Sequence, residues 1–371
     1  MKIKKQIAVL LPYANPHAMG WINELTQLNN NDILVGCVNS VKKYRKNYFA
    51  EADFFKNVIY FFKSDFKLNF YKKLKQKDVF ISLGMFHLEF FKALFFLKSD
   101  CDIYIMSEPY NKISKSKEFA QKLFGFLIFT KFKKEKLFFL AMGGMPVKKH
   151  YSSVGFSSCQ FYNFGYFPKL IPNYNEKTPI ENRKINFLFV GQLIPRKGID
   201  VLINLLKYLN DKYNDEFLFS IIGDGILENE LIENIKDITA VKFLGLISDV
   251  DFINSYYKEA DVLFLPSYFD GWGAVVNEAM AQSCSLLLSE KVYSSQALLI
   301  ENNNGYVFDP YNFNSLSCKV DNYFSNKNLL QEHSAFSFEL YKEWNEKNAA
   351  FSFQKLLNGE KNTNLTLLKN I

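Results

Sequence analysis

Short apolar runs recur along this chain at intervals wide enough to hold a helix, and the series starts twice. Runs at 6–12, 32–38, 58–62, 79–83 and 103–106 form the first series. Each is short and rich in branched or aromatic residues, as expected of a strand covered on both faces. Strands alternating with helix-length segments, such as the stretch at 21–28, argue for a parallel sheet with helical crossovers. Pro168, Pro172 and Pro179, with the polar segment 173–184, then mark a linker. Beyond it the alternation resumes, with strands expected at 185–190, 217–222, 241–244, 262–265 and 285–288 and a helix at 198–209. The fold class is therefore α/β, with two doubly wound domains over 1–172 and 173–337. A final amphipathic helical stretch at 338–371, carrying Phe338, Trp344 and Phe353, is expected to return to the first domain.

Composition excludes several classes. Apolar residues at 48% and charged residues at 22% leave no case for disorder. The apolar run 7–11 stops at Pro12, too soon for a secretory leader, and Lys92 and Lys98 interrupt the Phe-rich run after His87 before it could span a bilayer. The expected location is cytoplasmic, on the inner face of the cell membrane if the chain docks there. Cys37, Cys101, Cys159, Cys284 and Cys318 are odd in number and scattered, which supports neither a disulfide framework nor a zinc site.

Charge divides the chain. Residues 1–150 carry a net +14 and the remainder −7. A basic half points to an anionic partner: a membrane surface, a nucleic acid or a phosphorylated acceptor. No nucleic-acid motif accompanies the charge, so that partner is set aside. A peripheral contact with an anionic membrane is favoured by the stretch 119–139, where Phe124, Phe126, Leu127 and Phe129 adjoin Lys131, Lys133, Lys134 and Lys136.

Three segments of the second half carry chemistry. The strand ending at Val190 empties through Gly191 into a loop with Arg196 and Lys197 at the start of a helix, an arrangement suited to a diphosphate. The next strand ends in Gly223-Asp224-Gly225. After a third strand, the segment 266–281 holds Asp270 and Glu278 on either side of a glycine turn, Gly271-Trp272-Gly273-Ala274-Val275, that opens into a helix. Backbone N–H groups at such a turn suit phosphate or sugar oxygens.

In this order, and with the turn at 302–307 behind them, the segments resemble the C-terminal domain of family 4 glycosyltransferases of the GT-B fold. The resemblance covers about 185–310 and implies two Rossmann-like domains facing across a cleft, with a nucleotide diphosphate sugar as donor. It implies that Arg196 and Lys197 neutralise the diphosphate, that Glu278 holds the ribose, and that Asp270 with the segment from Gly271 to Val275 holds sugar and phosphate. Gly191, Gly223 and Gly225 would line the same site. The first acid of the family pattern is usually Glu, whereas here it is Asp270. In the first half, the resemblance in layout makes His87 a catalytic candidate, with Glu108 after a further strand, and His17 in the first loop on the acceptor side. Asp249-Val250-Asp251 spells a metal-binding DxD, but Ser248 to Asp251 has the spacing of a helix capping box. No metal or other cofactor is expected. The implied reaction is sugar transfer to a glycan or lipid-linked acceptor with retention, in bacterial surface polysaccharide synthesis. A nucleotide-sugar epimerase or hydrolase, or a non-catalytic binding subunit, are the alternatives.

Overall fold

The structure is a computed structural model that describes residues 5–13, 16–29, 33–39, 58–60, 64–111, 114–168 and 183–360. Outside these lie most of the expected linker with Pro172 and Pro179, the ends of two expected runs at 32 and 61–62, the first loop at 14–15, the His17 side chain, and the tail 361–371. The chain forms two compact units, one of residues 1–169 with 344–371 and the other of residues 170–343.

The first unit is built on β1 (Ile7–Tyr13), β2 (Leu34–Asn39), β3 (Val58–Tyr60), β4 (Val79–Leu83), β5 (Asp102–Ser107), β6 (Leu137–Met142) and β7 (Gln160–Phe164). They lie in the order β3-β2-β1-β4-β5-β6-β7, with every pair parallel. Chain direction around the sheet therefore reverses between β1 and β4, where Ile7 pairs with Val79 and Leu10 with Ser82. The helices are α1 (Pro16–Asn29), α2 (Ser64–Leu74), α3 (Leu88–Phe96), α4 (Lys115–Ile128) and α5 (Met145–Tyr151). Ile7 to Leu11 are at most 1% exposed, the signature of a central strand buried on both faces. Aromatic rings fill the space between sheet and helices: Phe139 stacks on Phe161 at 4.7 Å, and Phe124 meets Phe91 edge-on at 4.5 Å.

The second unit repeats the plan with β8 (Ile185–Val190), β9 (Phe217–Ile222), β10 (Val241–Phe243), β11 (Val262–Leu265), β12 (Ser285–Ser289) and β13 (Gly305–Phe308). Their order is β10-β9-β8-β11-β12-β13, again all parallel, with the reversal between β8 and β11. The helices are α6 (Ile199–Tyr213), α7 (Glu228–Ile235), α8 (Val250–Glu259), α9 (Val275–Ala281), α10 (Ser295–Leu298), α11 (Phe313–Ser325) and α12 (Asn328–Glu343). In α6, Ile199, Leu202, Leu205, Leu206 and Leu209 recur at helical spacing and are fully buried. Arg183 clamps the buried Asp261 just before β11 with two bonds of 2.7 Å, and the same carboxylate accepts from the Asn186 N–H at 2.9 Å.

The closing stretch is two helices, not one. α12 stays with the second unit, and after a break at Trp344 the chain re-enters the first as α13 (Glu346–Leu357). There α13 lies on α1, with Phe353 edge-on to Trp21 at 5.3 Å. Gly20 permits this approach, because a Cβ at that position would meet Glu346 Cβ at 3.4 Å and Phe167 O at 2.9 Å. Among the described residues no helix is long and apolar enough to cross a membrane.

Candidate functional site

In open parallel sheets the strand ends on either side of the reversal diverge, leaving a crevice at their carboxyl edge. In the second unit that place lies beyond Val190 of β8 and Leu265 of β11. The loop after β8 is held by its neighbours. Gly191 N–H donates to Ile222 O at 3.0 Å, and Leu193 N–H donates to Asp224 O at 2.7 Å. The turn after β9 presses so closely on this loop that a Cβ on Gly223 would lie 1.8 Å from Gly191 O, and one on Gly225 would lie 2.3 Å from Leu193 O. Their φ values of +147° and +156° exclude side chains independently. The Gly223 N–H is itself taken by Gly245 O at 2.9 Å. Loop packing alone thus requires glycine at both positions that the sequence pattern assigns to substrate.

From Leu193 the chain makes a tight turn over Pro195–Lys197 and enters α6 through Gly198, in the left-handed region at φ +71°. A Cβ there would fall 2.1 Å from Pro266 O, so the entry to α6 sits directly against the end of β11. Backbone bonds join the two loops: the N–H groups of Tyr268 and Phe269 donate to Arg196 O at 2.9 and 3.3 Å, and Arg196 Nη1 donates to Phe269 O at 3.2 Å. Lys197 Nζ pairs with the Asp270 carboxylate, both side chains being 12% exposed. Arg196 stays largely exposed. Asp270 is fixed from the far side as well, its N–H donating to Lys291 O at 2.9 Å and its O accepting from Tyr293 N–H at 3.1 Å. Tyr268 anchors the rim, donating to Asp200 at 2.5 Å and stacking on Tyr311 at 5.0 Å.

Beyond Asp270 the chain turns through Gly273, at φ +82°, into α9. The N–H groups of Ala274 and Val275 stand at the N-terminus of α9, where the helix itself supplies no carbonyl for them. Trp272 can contribute to this turn through its backbone alone. Its side chain is 2% exposed and its indole N–H donates to Asn277 Oδ1 at 2.9 Å, so it plugs the turn from the core side and offers a substrate only its backbone. Glu278, partly buried on α9, accepts from Tyr257 OH at 2.8 Å. Burial pushes its carboxyl above the usual range, and the Tyr257 bond pulls the other way. Tyr257, fully buried on α8, escapes a sequence reading because its spacing from Ile253 marks only a core face.

The other candidates are placed as follows. His87 lies at the carboxyl end of β4, beside the reversal of the first sheet, and caps α3 by accepting from Phe90 N–H at 3.2 Å through Nδ1. Its buried Nε2 has no partner among the described residues, and burial lowers its pKa. Glu108, after β5, accepts from Tyr166 OH at 2.7 Å. His17 occupies the first turn of α1. The structure therefore brings Arg196, Lys197 and Asp270 into one cluster, gives Glu278 a separate partner, and leaves His87 and Glu108 on neighbouring strand ends of the first unit. The cap at α8 is also corrected: Asp249, not Ser248, accepts from the N–H groups of Asp251 at 2.9 Å and Phe252 at 3.1 Å. Asp is as good an N-cap as Ser, and one residue of register decides between them. Among the described residues no group of three or more His, Cys, Asp or Glu is placed to hold a metal ion.

Residues 171–346 match the family model of glycosyl transferases group 1. An uncharacterised glycosyltransferase of Methanocaldococcus jannaschii is 31% identical over 177 residues, 46% of this chain and 45% of that protein. An α-1,4-N-acetyl-D-galactosaminyltransferase of Campylobacter jejuni, named for a diphospho-undecaprenol-linked saccharide, is 25% identical over 146 residues, 39% of this chain and 40% of that protein. This chain thus spans less than half the length of either curated relative in its match. Over nearly the whole chain, HepE of Anabaena, solved in complex with UDP, superposes with a TM-score of 0.70 at 12% identity, covering 95% of this chain and 100% of that one. Residues 171–346, just under half of the chain, are thus similar to the glycosyl transferases group 1, and its two α/β units have the fold of the GT-B glycosyltransferases.

Proposed function

We propose that this protein transfers a sugar from a nucleotide diphosphate sugar to a hydroxyl of a glycan or lipid-linked acceptor. The observation that carries the reading is the cluster at the β8–β11 reversal, where Lys197 and Arg196 meet Asp270 beside the first turn of α9. Two cations from one loop and a carboxylate from the next are what a donor with a charged diphosphate and a hydroxyl-rich sugar requires. Supporting it are the UDP bound to HepE and the diphospho-undecaprenol-linked saccharide in the name of the Campylobacter jejuni relative.

In this reading the diphosphate draws Lys197 away from Asp270, and the freed carboxylate takes a sugar hydroxyl. Arg196 meets the diphosphate from the exposed side, the N–H groups from Gly271 to Val275 hold phosphate or sugar oxygens, and Glu278 turns to the ribose. The bond from the anomeric carbon to the phosphate oxygen breaks as the bond to the acceptor oxygen forms on the same face. The acceptor proton passes to the departing phosphate, so configuration is retained and charge on the leaving group is met by Arg196 and Lys197 without a metal. Acceptor recognition falls to the first unit, with His87 at its own reversal, and bacterial surface polysaccharide is the proposed product class.

Thermal unfolding with UDP-, GDP- and ADP-sugars tests the donor site, since a ligand that binds only the folded state raises the midpoint. The expected result is protection by one nucleotide series, abolished in Lys197→Ala. A shift by no member of the panel, or an equal shift in Lys197→Ala, would overturn the assignment.

A further inference from the structure

The first unit carries an apolar surface that its own core leaves uncovered. On α4 the inward face is Gln121, Phe124, Gly125 and Ile128. The opposite face is also apolar: Phe119 is 70% exposed, Leu123 50%, Phe126 72% and Leu127 51%. These four recur at i, i+4, i+7 and i+8, one continuous stripe along the helix. Neighbouring α3 extends it. Phe91 packs on Phe124, Lys131 Nζ caps the end of α3 through Leu94 O at 2.6 Å, and beside that cap Phe95 stands 81% exposed. Isolated exposed apolar residues are ordinary, but a stripe of this kind marks a contact surface.

Charge selects the partner. Lys115 and Lys122 border one side of the stripe, and Lys131, Lys133 and Lys134 follow its end, all of them exposed. Glu118 is taken by Lys122 at 2.7 Å. A second copy of the chain, meeting across a two-fold axis, would bring this basic border against itself. An anionic lipid surface meets both features together, with phenyl rings and leucines entering between headgroups and ammonium groups resting on phosphates. We infer that the outward face of α3 and α4, centred on Phe95, Phe119, Phe126 and Leu127, docks in the plane of an anionic membrane. The surface belongs wholly to the first unit and does not rest on the donor-site reading, because it binds with no donor present.

The test is co-sedimentation of the full chain with phosphatidylcholine vesicles, with and without phosphatidylglycerol, at low and high salt. The chain is expected to bind the anionic vesicles at least about tenfold more tightly than the neutral ones, with the preference reduced by salt. Phe119→Ser with Phe126→Ser is expected to weaken binding at least about tenfold. Because both rings are exposed, the thermal midpoint and UDP-sugar protection should stay at their unmodified values. Phe95→Ser alone serves as a milder variant and should weaken binding in the same direction. Vesicle binding equal in all variants, no preference for anionic lipid, or a dimer in light scattering that the Phe119→Ser/Phe126→Ser pair dissociates would each overturn the proposal.

Discussion

The two sheets reverse direction in the same way, β1 to β4 in one and β8 to β11 in the other, yet the strand ends beside the two reversals are furnished differently. In the second unit, the backbones of adjacent loops touch through Gly198, Gly223 and Gly225, and Lys197 and Asp270 form a nearly buried ion pair. In the first, Gly84 takes a similar left-handed turn at φ +78°, where among the described residues a Cβ would meet His87 Cδ2 at 3.9 Å and nothing nearer. One topology supplies the location, and the loop residues decide how closely the backbones beside it approach.

The largest expected effect breaks the charged side of this contrast. Lys197→Ala leaves Asp270 buried without its cation, which should lower stability by about 3 kcal/mol in urea unfolding. The same change should reduce kcat/KM by about 10²–10³-fold. Adding Asp270→Ala should restore most of the stability and none of the turnover, since the stability loss comes from the stranded charge. Equal stability of Lys197→Ala and the unmodified protein would show the pair to be adventitious.

A smaller effect compares the two left-handed glycines directly. Gly198→Ala meets Pro266 O and must displace a strand end, so a loss above about 2 kcal/mol is expected. Gly84→Ala pays only the conformational penalty, about 1 kcal/mol. Thermal melts of the two variants giving the same shift would remove the distinction between a tight and an open turn.

The smallest effect concerns Glu278 and has two opposite signs. Glu278→Gln should weaken nucleotide diphosphate binding in calorimetry while slightly stabilising the unliganded protein at neutral pH, because it removes a carboxylate that burial penalises. Its folded pKa is raised, so its contribution to stability is full below the unfolded value and is lost as pH rises through the folded one. That decline should be absent from the variant. A variant whose stability falls with pH as steeply as the original would place the titration elsewhere.

Much of this was legible in the sequence, for identifiable reasons. A strand buried on both faces reads as an apolar run, so Ile185–Val190 and Val262–Leu265 stand out in the string. Strands β6 and β7 do not, since Leu137–Met142 continues from a lysine-rich turn and Gln160–Phe164 lies at the sheet edge with polar Gln160 and Asn163. The cluster of Arg196, Lys197 and Asp270 is visible as motif order, but their pairing is a contact between residues far apart in the chain, which no local pattern encodes. The inward direction of the Trp272 indole is likewise set by packing, through its bond to Asn277, and has no signal in the local sequence. Helix α12 and helix α13 read as one amphipathic segment because the break at Trp344 removes no apolar residue from the periodicity.

That break makes the first unit discontinuous in the chain, which imposes an order on its manufacture. During synthesis the β1 to β7 sheet emerges first and brings Phe164 to one edge of Trp21, but the face of α1 that takes Phe353 stays uncovered until α13 has left the ribosome. By then residues 170–343 have already emerged and can close around their own continuous sheet. The segment made first is thus finished last, and its uncovered α1 face is a natural client for holding chaperones throughout translation of the second unit.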